Sequence, residues 1–468
     1  MTRSATLAVV AAFLLSLPAV TTRIYASDEI QYFAWLRSWA FDRDIDFQNE
    51  YQHFYDAGVA RNPLFHETFL ERVNEAGRRI NFGPIGSAVL WSPFYAGGHL
   101  WAKATGAPAD GFSQPYVSAI TYGSAFYGLL AILLSASIAR RLVGRGLGAS
   151  LAIAIGTPLI FYMYIAPPMA HANSAFAVSL FIWIWIRARE RWRVRDAILL
   201  GLAGGLMAMV REQDAAIAVG PAIDVLRAMK PGLTSELRGA RASGTRFPVV
   251  AIAGVAAFLL AFTPQLLAYH ALNGHPGPTE LTTRKMNWLS PHAFGVLLSP
   301  AHGLFFWTPL ALVGVLGLAV LATSSPHPGT LGGRAPLHRD ARWIAGLALV
   351  MFALQVYVSG AVESWTVSGA FGQRRFVALT PLLTLGLAGL LTLASRPRRM
   401  LLRIAVALCI WWNLGLIVQF GTHRMDRTRL TPAANAWTTF VELPLEAPSL
   451  GWRYLTDRAS FYQQPRQH

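Results

Sequence analysis

Apolar stretches close to the roughly 20 residues needed to cross a hydrocarbon layer recur along this chain. They fall at 5–24, 115–138, 147–165, 170–186, 197–210, 215–228, 247–269, 303–322, 343–359, 376–394 and 404–420. About eleven spanning helices are therefore expected, with 197–210 and 215–228 short enough to form a broken pair. The expected fold class is an all-α polytopic membrane protein: a transmembrane unit over 1–420 and a C-terminal tail over 421–468. The longest stretch between spans, 25–114, follows directly on the first one.

Within that long loop the pattern changes. Ile30, Phe33, Ala34, Leu36 and Trp39 recur at helical spacing, so 28–41 reads as an amphipathic helix that Ser27 and Asp28 can cap. The polar run 41–54 reads as irregular. Residues 81–101 are apolar and aromatic but interrupted by Gly83-Pro84, Gly86, Pro93 and Gly97-Gly98. One or two helices lying at the interface are expected there, since Trp91, Tyr95 and Trp101 suit the headgroup level. An extra span is the alternative. The tail carries aromatics and prolines without enough periodic apolar sequence for an independent domain.

Composition agrees with a membrane class: 54% of residues are hydrophobic and 14% charged, which leaves more apolar surface than a soluble fold of 468 residues can cover. The net charge of +16 does not indicate nucleic acid, because the basic residues alternate with the spans instead of sharing one face. Loops 139–146, 187–196, 227–246, 324–342 and 395–403 hold twenty of the forty Lys and Arg, and these face the cytoplasm by the positive-inside rule. The intervening segments and the tail, with nineteen of the twenty-four acids, face outside. An odd number of spans then puts the N-terminus in the cytoplasm. A cleaved secretory signal over 1–26 is the competing reading, but it disagrees with this charge pattern. The single Cys409 excludes an internal disulfide and any multi-Cys metal site.

The candidate chemistry starts at Asp28-Glu29, immediately after the first span. A carboxylate there, next to lipid and partly desolvated, could take a proton from a hydroxyl as its oxygen attacks a sugar carbon. The alternative is that the two acids only cap a surface helix and favour its positive end. A phosphate-bearing lipid also needs cationic groups at the same membrane face, and the loops 273–302 and 360–375 supply Arg284-Lys285 and Arg374-Arg375. His171, at the start of an outward-facing helix end, is the histidine best placed to line a cavity. No His pair has metal-ligand spacing, so no cofactor is expected and a divalent metal is not indicated. Asp224, deep in an apolar segment, is read as pairing near the cytoplasmic end.

These residues resemble the membrane glycosyltransferases of the GT-C fold, the class that includes protein mannosyltransferases and aminoarabinose transferases. Ser27-Asp28-Glu29-Ile30-Gln31-Tyr32 looks like their acidic motif at the start of a long first external loop. Asn81-Phe82-Gly83-Pro84-Ile85-Gly86 is similar to the Gly/Pro stretch later in that loop, and the Gly-rich run 201–211 followed by Gln213 looks like a recurrent helix ending in Arg. Leu298-Ser299-Pro300-Ala301-His302-Gly303-Leu304-Phe305 and Trp307-Thr308-Pro309 look like a stretch of bacterial members. The resemblance implies a polyprenyl-phosphate-linked sugar as donor, inversion at the anomeric carbon, Asp28 as base and Glu29 as an auxiliary or acceptor-binding group. Tyr32, Arg284, Lys285, Arg374, Arg375 and His171 complete the expected substrate-binding set. It further implies a lipid or glycan acceptor in the cell envelope, a bacterial inner membrane location, and an extracytoplasmic active site. A secondary transporter or a non-catalytic envelope assembly protein is the competing class.

Overall fold

The computed structural model of the chain describes residues 3–229, 247–324, 340–367 and 369–461. Most of the predicted basic loops 227–246 and 324–342 lies outside the described residues. Among the described residues the regular secondary structure is helical, with only two isolated β-bridges, Val73 to Arg79 and Met286 to Val362. Five helices are long and apolar enough to cross a membrane: Gln114–Val143, Pro248–Asn273, Ala341–Ala361, Arg374–Leu393 and Arg396–Gly421. Arg3–Ala19, Leu147–Gly156 and Pro309–Thr323 are shorter apolar helices. This is an integral membrane protein.

Small residues let the helices approach closely where no hydrophobic effect would drive them together. A side chain at Gly201 or Gly205 of the Val194–Val210 helix would run into the Phe247–Asn273 helix at Gly254, Phe258 and Ala261. Gly314 and Gly317 meet Gly386 in the same way. At one end of the bundle Arg141 pairs with Glu190, while Arg189 binds Asp224 at 2.8 Å and Asp340 at 2.5 Å. Trp185 and Trp343 also donate to Asp224. The His171–Ala188 helix, about 27 Å long at 1.5 Å per residue, separates this charged end from the one that carries Asp28.

The long loop has its own aromatic core, around Phe33, Trp35, Phe47, Tyr51, Phe54 and Tyr95. The predicted helix is observed as Ser27–Arg37, continued by a π turn over Ser38–Asp42, but it is buried on most sides, Glu29 and Gln31 included, instead of amphipathic at a surface. Its cap differs from expectation. Ala26 is the N-cap residue, and the Glu29 carboxylate accepts the backbone N–H groups of Tyr25 at 2.8 Å and Ala26 at 3.2 Å. The stretch expected to be irregular contains the helix Gln48–Asp56, held by burial of Tyr51 and Phe54 in the loop core. The interrupted stretch is a single helix, Gly86–Thr105, with Pro93 inside it. It runs antiparallel along the start of the Gln114–Val143 helix, with Gly98 against Pro115 and Tyr116, Phe94 against Gly123 and the Leu90 carbonyl accepting from Tyr127 Oη, while Gly86 touches the backbone of Met209 and Val210. The broken pair is observed as Val194–Val210, a 3-10 turn over Glu212–Ala218 and a helix over Val219–Met229. That break delivers Arg211 to the site.

Candidate active site

The Asp28 end of the bundle holds a cavity of about 640 Å³. Asp28 and Tyr32 enter it from the Ser27–Arg37 helix, His171 from the start of its own helix, and Arg211 with Glu212 from the break after Val210. Lys285 comes from the loop after Asn273, and Arg374 and Arg375 from the turn that opens the Thr380–Leu393 helix. Segments separated by up to 346 residues are thereby joined, most directly where Arg374 Nη1 donates to Asp28 Oδ2 at 2.6 Å. The bond engages one carboxylate oxygen only.

Each side chain has local support. The helix that bears Asp28 is fixed through Gln31, whose Oε1 accepts the Phe82 N–H at 2.7 Å and whose carbonyl accepts Asn81 Nδ2 at 3.0 Å. Trp35 Nε1 donates to the Gly83 carbonyl at 2.7 Å. The Gly/Pro stretch thus braces the acidic segment, and Gly83 lies flat against the Tyr32 ring, where a side chain would be crowded. On the other side of the cavity, His302 stacks on Trp307 and its Nε2 lies 2.8 Å from the Ala370 carbonyl. Gln373 Nε2 donates to the carbonyls of His302 and Trp365. The Leu298 to Phe305 stretch therefore holds the turn that presents Arg374.

Arg375 is almost fully buried and donates to the carbonyls of Ser359 at 3.1 Å and Ser364 at 3.3 Å. Arg211 Nη1 donates to His171 Nδ1 at 2.5 Å, which assigns the proton of a neutral His171 to its other ring nitrogen. Among the described residues neither Arg211 nor Arg375 forms a salt bridge. The cavity therefore carries four cationic side chains against the carboxylates of Asp28 and Glu212, and Glu212 accepts Tyr269 Oη at 2.5 Å. Such a balance suits an anion with several oxygens.

Two expected residues stand elsewhere. Glu29 is not among the cavity residues; it is fully buried at the helix start, and burial pushes its carboxyl up to about 8 against the two backbone N–H bonds that lower it. Arg284 points outward, 74% exposed, and pairs with Glu280 at 2.5 Å. Arg211 and Glu212 are site residues that the sequence did not single out as such, although Arg211 ends the Gly-rich run. Among the described residues no group of three or more His, Cys, Asp or Glu is arranged to hold a metal ion.

The chain is thus a helical membrane bundle whose first long loop brings a carboxylate to a cationic cavity, and its fold has a counterpart among solved structures. Among solved structures the chain is similar to ArnT from Cupriavidus metallidurans bound to undecaprenyl phosphate, with 13% sequence identity and a TM-score of 0.53. The match covers 98% of this chain and 74% of that one. No protein-family model and no curated protein matches the sequence.

Proposed function

We propose that the protein is a glycosyltransferase that moves a sugar from a polyprenyl-phosphate donor to a lipid or glycan acceptor of the cell envelope. The observation that carries this reading is the Asp28 carboxylate standing among four cationic side chains, with Glu212 the other acid, in a single cavity of about 640 Å³. The similarity in fold to a protein solved with undecaprenyl phosphate supports the donor class.

In this reaction the acceptor hydroxyl attacks the anomeric carbon, the bond from that carbon to the phosphate oxygen breaks, and configuration inverts. Asp28 takes the hydroxyl proton through Oδ1, the oxygen that Arg374 leaves free. The departing lipid phosphate keeps the bonding electron pair, and Arg211, Lys285 and Arg375 meet its charge. Tyr32 and His171 line the sugar, and Glu29 acts on the site through the helix start that it caps.

The topology that goes with this function has about eleven spans, the N-terminus in the cytoplasm of a bacterial inner membrane, and the cavity on the extracytoplasmic face. The test is transfer by the purified full chain in nanodiscs, given a polyprenyl-phosphate sugar and an envelope lipid extract, with products read by mass spectrometry. A new glycosidic product is expected. Sugar crossing sealed vesicles with no glycosidic bond formed would reject the enzyme in favour of a transporter.

A further inference from the structure

The last segment of the chain turns back on the bundle after the helix Arg396–Gly421. It continues as Pro432–Trp437, a π turn over Thr438–Glu442, and Leu443–Thr456. The first part packs antiparallel to the preceding helix. Asn435 and Gln419 exchange hydrogen bonds, Gln419 Nε2 also donates to Thr439 Oγ1 at 2.8 Å, and Trp411 Nε1 donates to the Thr439 carbonyl at 3.0 Å. Gly415 leaves the space that the Thr439 side chain fills. Trp411 stands about 15 Å before Gly421 at 1.5 Å per residue, so the returning segment lies beside the long apolar helix and below its end. Its far end reaches the first helix, where Arg458 donates to the carbonyls of Pro18 at 2.7 Å and Ala19 at 2.5 Å.

The faces of this segment are sorted. Trp437, Val441, Leu445, Pro448, Trp452 and Leu455 recur at steps of three or four and form one stripe. Leu445 and Leu455 are 80% exposed and Trp452 70%. One position further round, Glu442, Glu446, Ser449, Arg453 and Thr456 form a polar stripe, in which Glu446 pairs with Arg424 at 2.6 Å. Leu443 is buried against the bundle. A segment that packs by one apolar side and leaves a second apolar stripe uncovered beside a polar one has three different surroundings. The segment joins the outward side of the preceding helix, which is long and apolar enough to cross the membrane: Trp412 stacks on Phe440, and Trp411, which donates to the Thr439 carbonyl, is 40% exposed.

We propose that the Leu443–Thr456 helix is an in-plane membrane helix whose Leu445, Trp452 and Leu455 stripe sits in the lipid at the acyl and headgroup boundary on the Asp28 side, tying the first and last spans together there. The chemistry is that of an amphipathic interfacial helix, with about 15 Å of apolar stripe from Leu445 to Leu455. The inference rests on the membrane fold and not on the transfer reaction.

The experiment uses the full chain with Cys409→Ser, carrying single cysteines in place of Leu445, Trp452 or Leu455 on one stripe and Ser449 or Arg453 on the other. Each is labelled with a fluorophore and placed in nanodiscs. The three apolar positions are expected to be quenched several-fold more by nitroxides attached to lipids than by aqueous iodide, and the two polar positions the reverse. Equal iodide quenching on both stripes would overturn the proposal, as would protection of the apolar stripe from both quenchers, which would mean that protein covers it. Reading five positions keeps the result decisive if one variant fails to fold.

Discussion

Asp28→Asn separates a base from a mere anchor for Arg374. The Asn side chain is isosteric, and its oxygen still accepts from Arg374 Nη1, now 2.6 Å from Asp28 Oδ2. The ion pair that is lost is partly open to water, with side chains 37% and 22% exposed, so its loss costs at most about 1 kcal/mol of stability. Folding therefore survives. Donor affinity should hold or rise, because a negative charge leaves a cavity that binds a phosphate. The chemical step loses its proton acceptor, which is worth about 10²- to 10⁴-fold, or roughly 3 to 5 kcal/mol of barrier. The assay follows single-turnover transfer by mass spectrometry in nanodiscs, beside donor binding measured on the same preparation. The expected result is a large fall in transfer with binding retained. Transfer within a few-fold of wild type would refute Asp28 as base, since the Arg374 contact alone would then be sufficient; loss of binding together with transfer would assign it to the scaffold.

The two outward and inward arginines give a paired test: Arg211→Ala should weaken donor binding by roughly 10- to 150-fold, the value of a charge-assisted bond to phosphate, whereas Arg284→Ala should leave it unchanged. Equal effects in the same binding assay would break the proposed cavity. Glu29 predicts a pH dependence of stability. Its folded carboxyl titrates near 8 and its unfolded one near 4.5, so the folded state holds the extra proton between these values. Stability contributed by Glu29 is thus full below about 4.5 and lost as pH rises to about 8. Glu29→Gln should flatten this fall in thermal melts, reducing but not removing it, because Glu50 is also pushed up by burial, to about 7. An unchanged slope would show that Glu29 is not protonated in the folded chain.

The membrane class was legible because hydropathy and loop charge act over whole segments, and the Asp28 block because its chemistry is local. What the sequence could not resolve was which of two adjacent charges faces the cavity. Successive helical residues differ by about 100°, so Asp28 turns to the cavity while Glu29 turns into the loop, and Arg284 points outward while Lys285 lines the cavity. Hydropathy treats both members of each pair alike. Arg211 was hidden for another reason: it lies at a break between two apolar stretches, and such a break reads as a short loop until the Glu212–Ala218 turn is seen to open on the cavity. The Gly86–Thr105 helix was obscured by its glycines and Pro93, which ordinarily interrupt a helix; here Gly86 and Gly98 are sites of close contact with Met209, Val210 and Tyr116.

The uncharged amides carry a bracing role in the site that no sequence motif assigns to them. The cavity is built where the backbone leaves regular helix, at 81–85, 211–218 and 373–379, and near a membrane such backbone groups need partners from the protein. Gln31 accepts the Phe82 N–H, and Gln265 accepts the Ile85 N–H at 2.9 Å. Gln213 and Gln355 both donate to the Arg375 carbonyl, at 3.3 and 3.1 Å, and Gln373 donates to His302 and Trp365. A buried glutamine is costly unless it is paired, and each of these bonds ends on a segment that presents or braces a charged residue. The charges would supply the chemistry, but their positions depend on amides drawn from the first loop, the broken helix pair, the Phe247–Asn273 helix and the last third of the chain. A single sequence shows five separate glutamines; only the folded chain shows that they serve one cavity.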